Sequence, residues 1–126
     1  MKQSELMIGD WVRVPSELNR PKVVRSTFDL DEAVLYHPIR LTSKILEDNG
    51  FYKGSVNEYK IVRFSDNLDE DGDKKLDFSI FIFPNSFVQI KKNTNIIRFY
   101  CNKLHKLQQA IRLAGIEENL FKKVEW

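Results

Sequence analysis

The segment 76–83 carries apolar side chains on both faces of a predicted strand, and this feature constrains the fold most. Its apolar residues alternate between the faces, with Phe78, Ile80 and Ile82 on one and Phe81 and Phe83 on the other. A strand that is apolar on both sides is buried on both sides, which favours a position in the middle of a sheet. The chain is therefore expected to build a sheet around this segment.

The flanking segments supply neighbours for this central strand. Further strands are predicted at 58–64, 87–91 and 96–100. They are separated by an acidic, glycine-containing loop at 65–75, a tight turn at Pro84-Asn85 and a turn at 92–95. Short strands joined in sequence by tight turns are typical of an antiparallel β-meander.

A short middle helix is predicted immediately after Leu41. Thr42 can act as its N-cap, and Leu41 and Leu46 have the spacing of a hydrophobic staple. Gly50 can take the left-handed conformation that ends a helix, which lets Phe51 fold back on Leu46. Two turns of helix are unstable alone, so this helix is expected to dock on the sheet.

A second helix is predicted near the carboxyl end, from about 102 to 114. Its buried stripe follows helical spacing and comprises Leu104, Leu107, Ile111 and Ala114. Gly115 supplies the stop. The tail beyond it is partly apolar, including Phe121 and Trp126, and is expected to pack on the domain or against a neighbouring chain.

The amino-terminal part, 6–41, is predicted to form short strands and turns. Strands are expected at 11–14 and 22–28, with short extended pieces at 33–36 and 39–41. Strands of this kind can curl into a small barrel or a curved sheet. The whole chain, 1–126, is therefore predicted to be a single α+β domain: short amino-terminal strands, a middle helix, a meander and a carboxyl-terminal helix.

Composition narrows the setting rather than the function. The chain has 126 residues and a net charge of +2, too small to indicate a nucleic-acid partner by itself. It has a single cysteine, Cys101, so no intrachain disulfide can form, as expected in a reducing compartment. The polar start does not resemble a signal peptide, and no segment has the apolar length of a membrane span. A cytoplasmic location without membrane contact is predicted.

Three segments together carry a family resemblance. The start 6–12 (LMIGDWV), the stretch 37–51 (HPIRLTSKILEDNGF) and the helix 105–116 (HKLQQAIRLAGI) resemble, in turn, an "L-x-I-G-D/N-W/Y-V" start, a "PIPLTEEILLKNGF"-type stretch and an "HQLQ"-type helix. These motifs are similar to those of a family of small proteins from gut anaerobic bacteria and their phages or mobile elements. Lys106 departs from the pattern, which usually has Gln there. The resemblance implies a bacterial or phage-encoded setting and no particular chemistry.

Cys101 and His105 are the first candidates for chemistry, because an i, i+4 pair on a helix can share a face. A zinc site needs three or four ligands, and the only other histidine is His37. A nucleophilic cysteine needs a lowered pKa and an oriented base. Because neither supporting pattern is present, the sequence predicts an inert thiol, no catalytic residues, no metal site and no cofactor.

The acidic loop 67–73 matches the first half of a calcium-binding loop. Position 12 of such a loop should be a bidentate Glu, but here it is Phe78. Because the flanking segments are predicted strands rather than helices, a solvated hairpin loop is the favoured interpretation. Whether the loop binds a cation is left open.

Two groups of polar residues are candidate interaction surfaces. A polar stripe on the last helix comprises His105, Gln108, Gln109 and Arg112. It can either recognise a partner or fix the helix through hydrogen bonds within the domain. A basic patch is predicted from Lys91, Lys92, Lys103 and Lys106. These lysines can contact phosphates or serve only for solubility.

These observations favour a non-enzymatic binding or accessory protein of a bacterial mobile element or phage. Its expected partner is another protein or a second copy of the chain, contacted through the last helix or the tail. A weak nucleic-acid adaptor is the alternative, with Trp11, Tyr52 and Tyr100 available to stack on bases. A small enzyme is the least favoured hypothesis.

Overall fold

The computed structural model describes residues 1–126 and contains seven strands and three α-helices. The strands are β1 (Trp11–Val14), β2 (Arg20–Val23), β3 (Tyr52–Lys53), β4 (Tyr59–Leu68), β5 (Lys74–Ile82), β6 (Phe87–Lys92) and β7 (Asn95–Tyr100). The helices are α1 (Thr27–Asp31), α2 (Ser43–Asp48) and α3 (Leu104–Leu113). The predicted α+β class is confirmed. None of the helices has the length and apolar character that a membrane crossing requires.

Strands β3 to β7 form one antiparallel sheet in the order of the sequence. β5 lies in its centre, as its two-sided apolar pattern predicts, and the meander is confirmed. β4 and β5 extend further than predicted into the acidic segment, leaving only 69–73 as the loop. This extension is possible because pairing resumes at Phe64↔Leu76 and Leu68↔Lys74, after a register shift that follows Arg63.

The main hydrophobic core lies on one face of this sheet. Inward side chains of the sheet, such as Ile61, Ile80 and Ile90, are fully buried against α2, α3 and the tail. Phe51 and Phe121 stack there with their ring centroids 5.8 Å apart. All three covering segments pack on this one face, so the opposite face of the sheet has no layer over it.

The amino-terminal strands do not close a barrel. β1 and β2 pair only with each other, as a separate two-stranded sheet. A second, smaller group of buried residues lies beneath this hairpin: Leu6, Val12, Val14, Val24, Ala33 and Tyr36. The hairpin approaches the rest of the molecule through α3 rather than through a strand of the meander, so no continuous sheet can curl around.

Two segments predicted to be extended are helical instead. β2 ends at Val23, and the rest of the predicted strand 22–28 turns into α1. Ser26 caps this helix by accepting a hydrogen bond from the amide of Asp29 at 3.3 Å. The Ser-x-x-Asp spacing is the capping signal that marks this start in the sequence. The predicted extended piece 33–36 is mostly a 3-10 helix, Ala33–Leu35.

The ends of α2 are those predicted. Thr42 Oγ1 accepts a hydrogen bond from the Ile45 amide at 3.2 Å. Gly50 has a φ of 90°, and the Phe51 amide donates to the Leu46 carbonyl at 3.0 Å, which is the expected Schellman ending.

Helix α3 begins later than predicted, at Leu104 rather than near 102. The reason is tertiary. Lys103 is extended and bridges Arg40, and the Leu104 amide donates to the carbonyl of Ile39 at 2.8 Å. Backbone pairing with Ile39 and Arg40 therefore keeps residues 102 and 103 extended, so they do not join the helix.

Candidate functional site

The polar stripe of α3 faces the protein's own amino-terminal segment. Gln108 is buried, and both the oxygen and the nitrogen of its side-chain amide form hydrogen bonds with this segment. Its Oε1 accepts from the Trp11 backbone N–H at 2.9 Å, and its Nε2 donates to the Gly9 carbonyl at 3.0 Å. The Gln108 side chain thereby satisfies one backbone donor and one backbone acceptor of the segment 9–11, as a neighbouring strand would.

Asp10 is the centre of this contact and is fully buried. Its carboxylate accepts hydrogen bonds from the Met7 amide at 2.9 Å, from Gln109 Nε2 at 2.7 Å and from Arg112 Nη1 at 2.5 Å. Gln109 Nε2 also donates to the Glu5 carbonyl at 2.8 Å. A buried carboxylate needs several donors of this kind, one of them charged. The stripe is therefore a clamp between α3 and the amino-terminal segment, the second of the two predicted alternatives.

His105 is buried deeper than the other three stripe residues, at 2% exposure. Neither of its ring nitrogens has a hydrogen-bond partner. Burial lowers the pKa of His105 below its ordinary value, with the nearby Asp10 carboxylate opposing this effect. The ring is thus a neutral, core-filling side chain at neutral pH.

Replacing His105 by leucine is expected to flatten the acid dependence of stability. The unfolded chain takes up a proton near pH 6.5, whereas the folded chain resists it. Stability therefore falls as the pH drops below about 6.5, by up to about 1 kcal/mol per pH unit from this residue. Urea denaturation at several pH values between neutral and mildly acidic measures this slope. At neutral pH the variant should match or exceed the parent, since leucine leaves no buried nitrogen unpaired. An equal slope in both proteins would contradict this role for His105.

Cys101 and His105 do not form a catalytic pair. Cys101 precedes α3 and lies outside the helix, so it does not share a helix face with His105 as predicted. Its Sγ donates to the Lys103 carbonyl at 3.2 Å, and burial raises the pKa of the thiol, which disfavours the thiolate. No three His, Cys, Asp or Glu side chains in the chain come close enough together to hold a metal ion.

The acidic loop 69–73 is closed by its own first residue. Asp69 Oδ1 accepts from the amides of Asp71 and Asp73, each at 2.9 Å. The Asp69 amide donates to the Asp73 carbonyl at 2.7 Å. This side chain organises the hairpin turn, as Asp commonly does by bonding to backbone amides two residues on.

The four lysines of the predicted basic patch lie in two separate places. Lys91 and Lys92 are at the end of β6, beside the turn into β7, whereas Lys103 and Lys106 follow the far end of β7. Lys92 is paired with Asp77. Lys91 points to the opposite face of the sheet from Lys92. Lys60 and Arg98, which were not part of the predicted patch, lie on the same face as Lys91.

That opposite face, which we call the open sheet face, is assembled from all five strands of the meander. The register aligns one row of side chains directly across it: Tyr52, Lys60, Phe81, Gln89 and Arg98. The next row along the strands is Val62, Ser79, Lys91 and Ile96. At the other end lie Phe83, Phe87 and Tyr100. None of these side chains belongs to either buried core.

Aromatic rings form a continuous track on the open sheet face. The centroids of Phe81 and Phe83 are 6.4 Å apart, those of Phe83 and Phe87 6.0 Å, and those of Phe87 and Tyr100 5.2 Å. Tyr100 at the end of the track is 72% exposed. Across the sheet, Tyr52 is 50% exposed. The face thus presents flat rings to solvent that no other part of the domain covers.

Three cations, Lys60, Lys91 and Arg98, lie on the open sheet face. Lys60 lies over the Tyr52 ring, 5.4 Å from its centroid, and also 3.8 Å from Glu58 at the edge of the face. Arg98 is held by Gln89, whose Oε1 accepts from Arg98 Nε at 3.0 Å. Lys91 has no ionic partner. None of the face's own side chains is acidic, although the chain has 18 Asp and Glu residues.

Most apolar side chains of the carboxyl-terminal tail, the other predicted contact surface, are buried: Ile116, Leu120, Phe121 and Val124. Phe121 is 2% exposed and its carbonyl accepts from the Trp11 indole at 2.8 Å. Only Trp126, at 56% exposure, is available among the tail's large apolar side chains. The tail therefore closes the main core of this chain.

No protein-family model, curated protein or solved structure significantly matches the chain. Any inference about its function therefore depends on the geometry described above. Of the residues singled out for base stacking, Tyr52 and Tyr100 lie on the open sheet face and Trp11 does not. The alternation of side chains along β4 to β7 indicates which residues lie together on this face. It does not indicate which of the two faces stays uncovered.

Proposed function

We propose that this protein is a non-enzymatic binding protein whose open sheet face takes single-stranded nucleic acid. The observation that carries the proposal is the combination of an uncovered aromatic track with three cations, Lys60, Lys91 and Arg98, of which only Lys60 is paired with a carboxylate. Single strands are bound in this way elsewhere: aromatic rings stack on bases, and Lys or Arg contacts the phosphates. The setting proposed with it is the cytoplasm of a bacterium, as an accessory protein of a mobile element or phage.

Tyr100 and Arg98 have distinct roles in this proposal. The Tyr100 ring, exposed at the end of the track, stacks on a base. Arg98 lies two residues before Tyr100 on β7, and Lys91 lies one row further along, on β6 opposite Ile96. Both are placed to contact a backbone that runs along these strands. Phe81 and Phe87 are half-buried and extend the stacking surface inward. A sheet that carries two or three exposed rings accommodates about as many stacked bases.

A protein partner on this face is the competing interpretation. The rings alone would suit it, since exposed aromatic surface is common at protein interfaces. The two cations without an ionic partner, Lys91 and Arg98, favour a polyanion. The polar stripe and Phe121, on which a protein-partner role was first based, are occupied inside the domain and give it no further support.

The Tyr100→Ala variant is expected to bind single-stranded oligonucleotides about tenfold more weakly than the parent, since one base stack contributes roughly 1–3 kcal/mol. The measurement is fluorescence anisotropy with labelled oligonucleotides of roughly ten residues at low salt. Phe28→Ala is the matched control, because Phe28 is an equally large, 67% exposed ring on α1, away from the sheet. Its affinity should equal that of the parent.

Salt dependence separates this binding from adventitious contact. Three cations on the face predict a slope of log affinity against log salt of about −2 for a single strand. Arg98→Ala should reduce the slope by about 0.7, whereas Arg40→Ala, on another surface, should leave it unchanged. Absence of binding at low salt, or an equal loss for Tyr100→Ala and Phe28→Ala, would overturn the proposal.

A further inference from the structure

A concave surface lies away from the open sheet face, between the amino-terminal hairpin, α3 and the tail. It is a half-open cleft of about 590 Å³. This volume falls within the range of about 300–1,000 Å³ that small-molecule sites occupy. Trp11 and Val23 of the hairpin line one side of the cleft, and Ile111 of α3 and Leu120 of the tail line the other.

The cleft has an apolar part, in which Trp11 is held in place. Trp11 lines one side, with its backbone N–H bonded to Gln108 at 2.9 Å and its indole N–H bonded to the Phe121 carbonyl at 2.8 Å. Ile111 and Leu120 contribute aliphatic surface beside it. Both indole and backbone are therefore fixed before any ligand arrives, and the indole offers a flat surface to one.

The rim of the cleft is positively charged. Arg112 lines it with a guanidinium that Asp10 holds at 2.5 Å through one nitrogen only. Arg25 and Lys122 also line it, and neither side chain has a hydrogen bond or ion pair in the structure. The single carboxylate there, Glu118, is already paired with Arg63 at 3.2 Å. Two cations, Arg25 and Lys122, are therefore left without a partner at the mouth of the cleft.

We infer that this cleft binds a small organic anion that carries a flat apolar group. The planar part lies against Trp11 and the aliphatic wall. The anionic part, a phosphate or carboxylate, is held at the rim by Arg25 and Lys122, with the remaining donors of Arg112 behind them. A fixed guanidinium is well suited to such an oxyanion because its donors are planar and already oriented. This site shares no residue with the open sheet face, so it stands independently of nucleic-acid binding there.

The test is an amide and indole NMR titration of the full chain with adenosine monophosphate, adenosine and inorganic phosphate as probes. The Trp11 indole signal reports on the cleft and is assigned by its persistence in Trp126→Phe. We expect saturable shifts with the monophosphate, and at least tenfold weaker binding of adenosine and of phosphate. The double variant Arg25→Ala/Lys122→Ala should weaken monophosphate binding at least tenfold.

Two controls keep the outcome interpretable. Lys2→Ala/Lys75→Ala removes two exposed cations elsewhere and should leave the affinity unchanged. Tyr100→Ala should also leave the Trp11 shifts unchanged, which separates the cleft from the open sheet face. The inference is overturned if the Trp11 signal does not saturate, if adenosine binds as tightly as the monophosphate, or if the two double variants behave alike.

Discussion

Replacing Phe121 by alanine is expected to lower the free energy of unfolding by about 3–5 kcal/mol, the usual cost of removing a buried phenylalanine ring. Phe121 is 2% exposed and stacks on Phe51 with the ring planes at 21°. Its loss leaves a cavity between the tail and the sheet, and also removes an aromatic pair. Urea denaturation followed by circular dichroism gives the change in unfolding free energy by linear extrapolation.

The matched control for this experiment is Phe28→Ala, in which the same ring is removed from an exposed position on α1. Its effect should stay within about 0.5 kcal/mol. Trp126→Ala, which alters the exposed end of the same tail, should be similarly mild. A loss below about 1 kcal/mol for Phe121→Ala would mean that the tail is not part of the cooperative core.

Replacing Asp10 by alanine is expected to cost about 2–4 kcal/mol, the second-largest effect. Asp10 is completely buried and joins three donors from two distant parts of the chain. The variant leaves the Met7 amide and the Gln109 amide group without their acceptor. Arg112 keeps partial access to water, with 31% of its side chain exposed, which limits the cost of its lost partner. Thermal unfolding should show a decrease of roughly 10 °C.

A double-mutant cycle with Arg112→Ala apportions this effect. Residues in one ionic network couple by about 0.5–3 kcal/mol, so the double variant should be more stable than the sum of the single changes predicts. Asp48→Ala is the matched control, because its ion pair with Lys44, at 2.9 Å, lies on the surface of α2. It should cost no more than about 0.5 kcal/mol. Simple additivity at Asp10 and Arg112 would show that this ion pair contributes little to the clamp.

The clamp also explains how separate parts of the sequence act together. Asp10 and Gln108 belong to two of the three segments that carry the family resemblance, and they are in the same contact network. The network holds the amino-terminal hairpin against α3, and this arrangement creates the cleft beside Trp11. Weakening the clamp is therefore expected to disturb the cleft while leaving the open sheet face intact.

Local features of the fold could be predicted because their causes are local. Thr42, Gly50 and Gly115 act on backbone groups within a few residues, so the ends of α2 and the end of α3 follow directly from the sequence. The central place of β5 followed from its alternating pattern, which reflects burial on both sides. The start of α1 was also marked locally, by Ser26 and Asp29, but the valines before it suggested a longer strand.

The sequence by itself determined which side chains share each face of the strands, because side chains alternate between the faces every two residues. It also determined where α2 and α3 end, because Gly50 and Gly115 act on backbone groups within a few residues. Tertiary structure alone decided which sheet face is covered, that Asp10 meets Arg112, and that the helix stripe turns inward. These choices depend on contacts between residues about 100 positions apart, such as Trp11 and Gln108. No local pattern contains such contacts, since burial of the whole apolar surface selects them together.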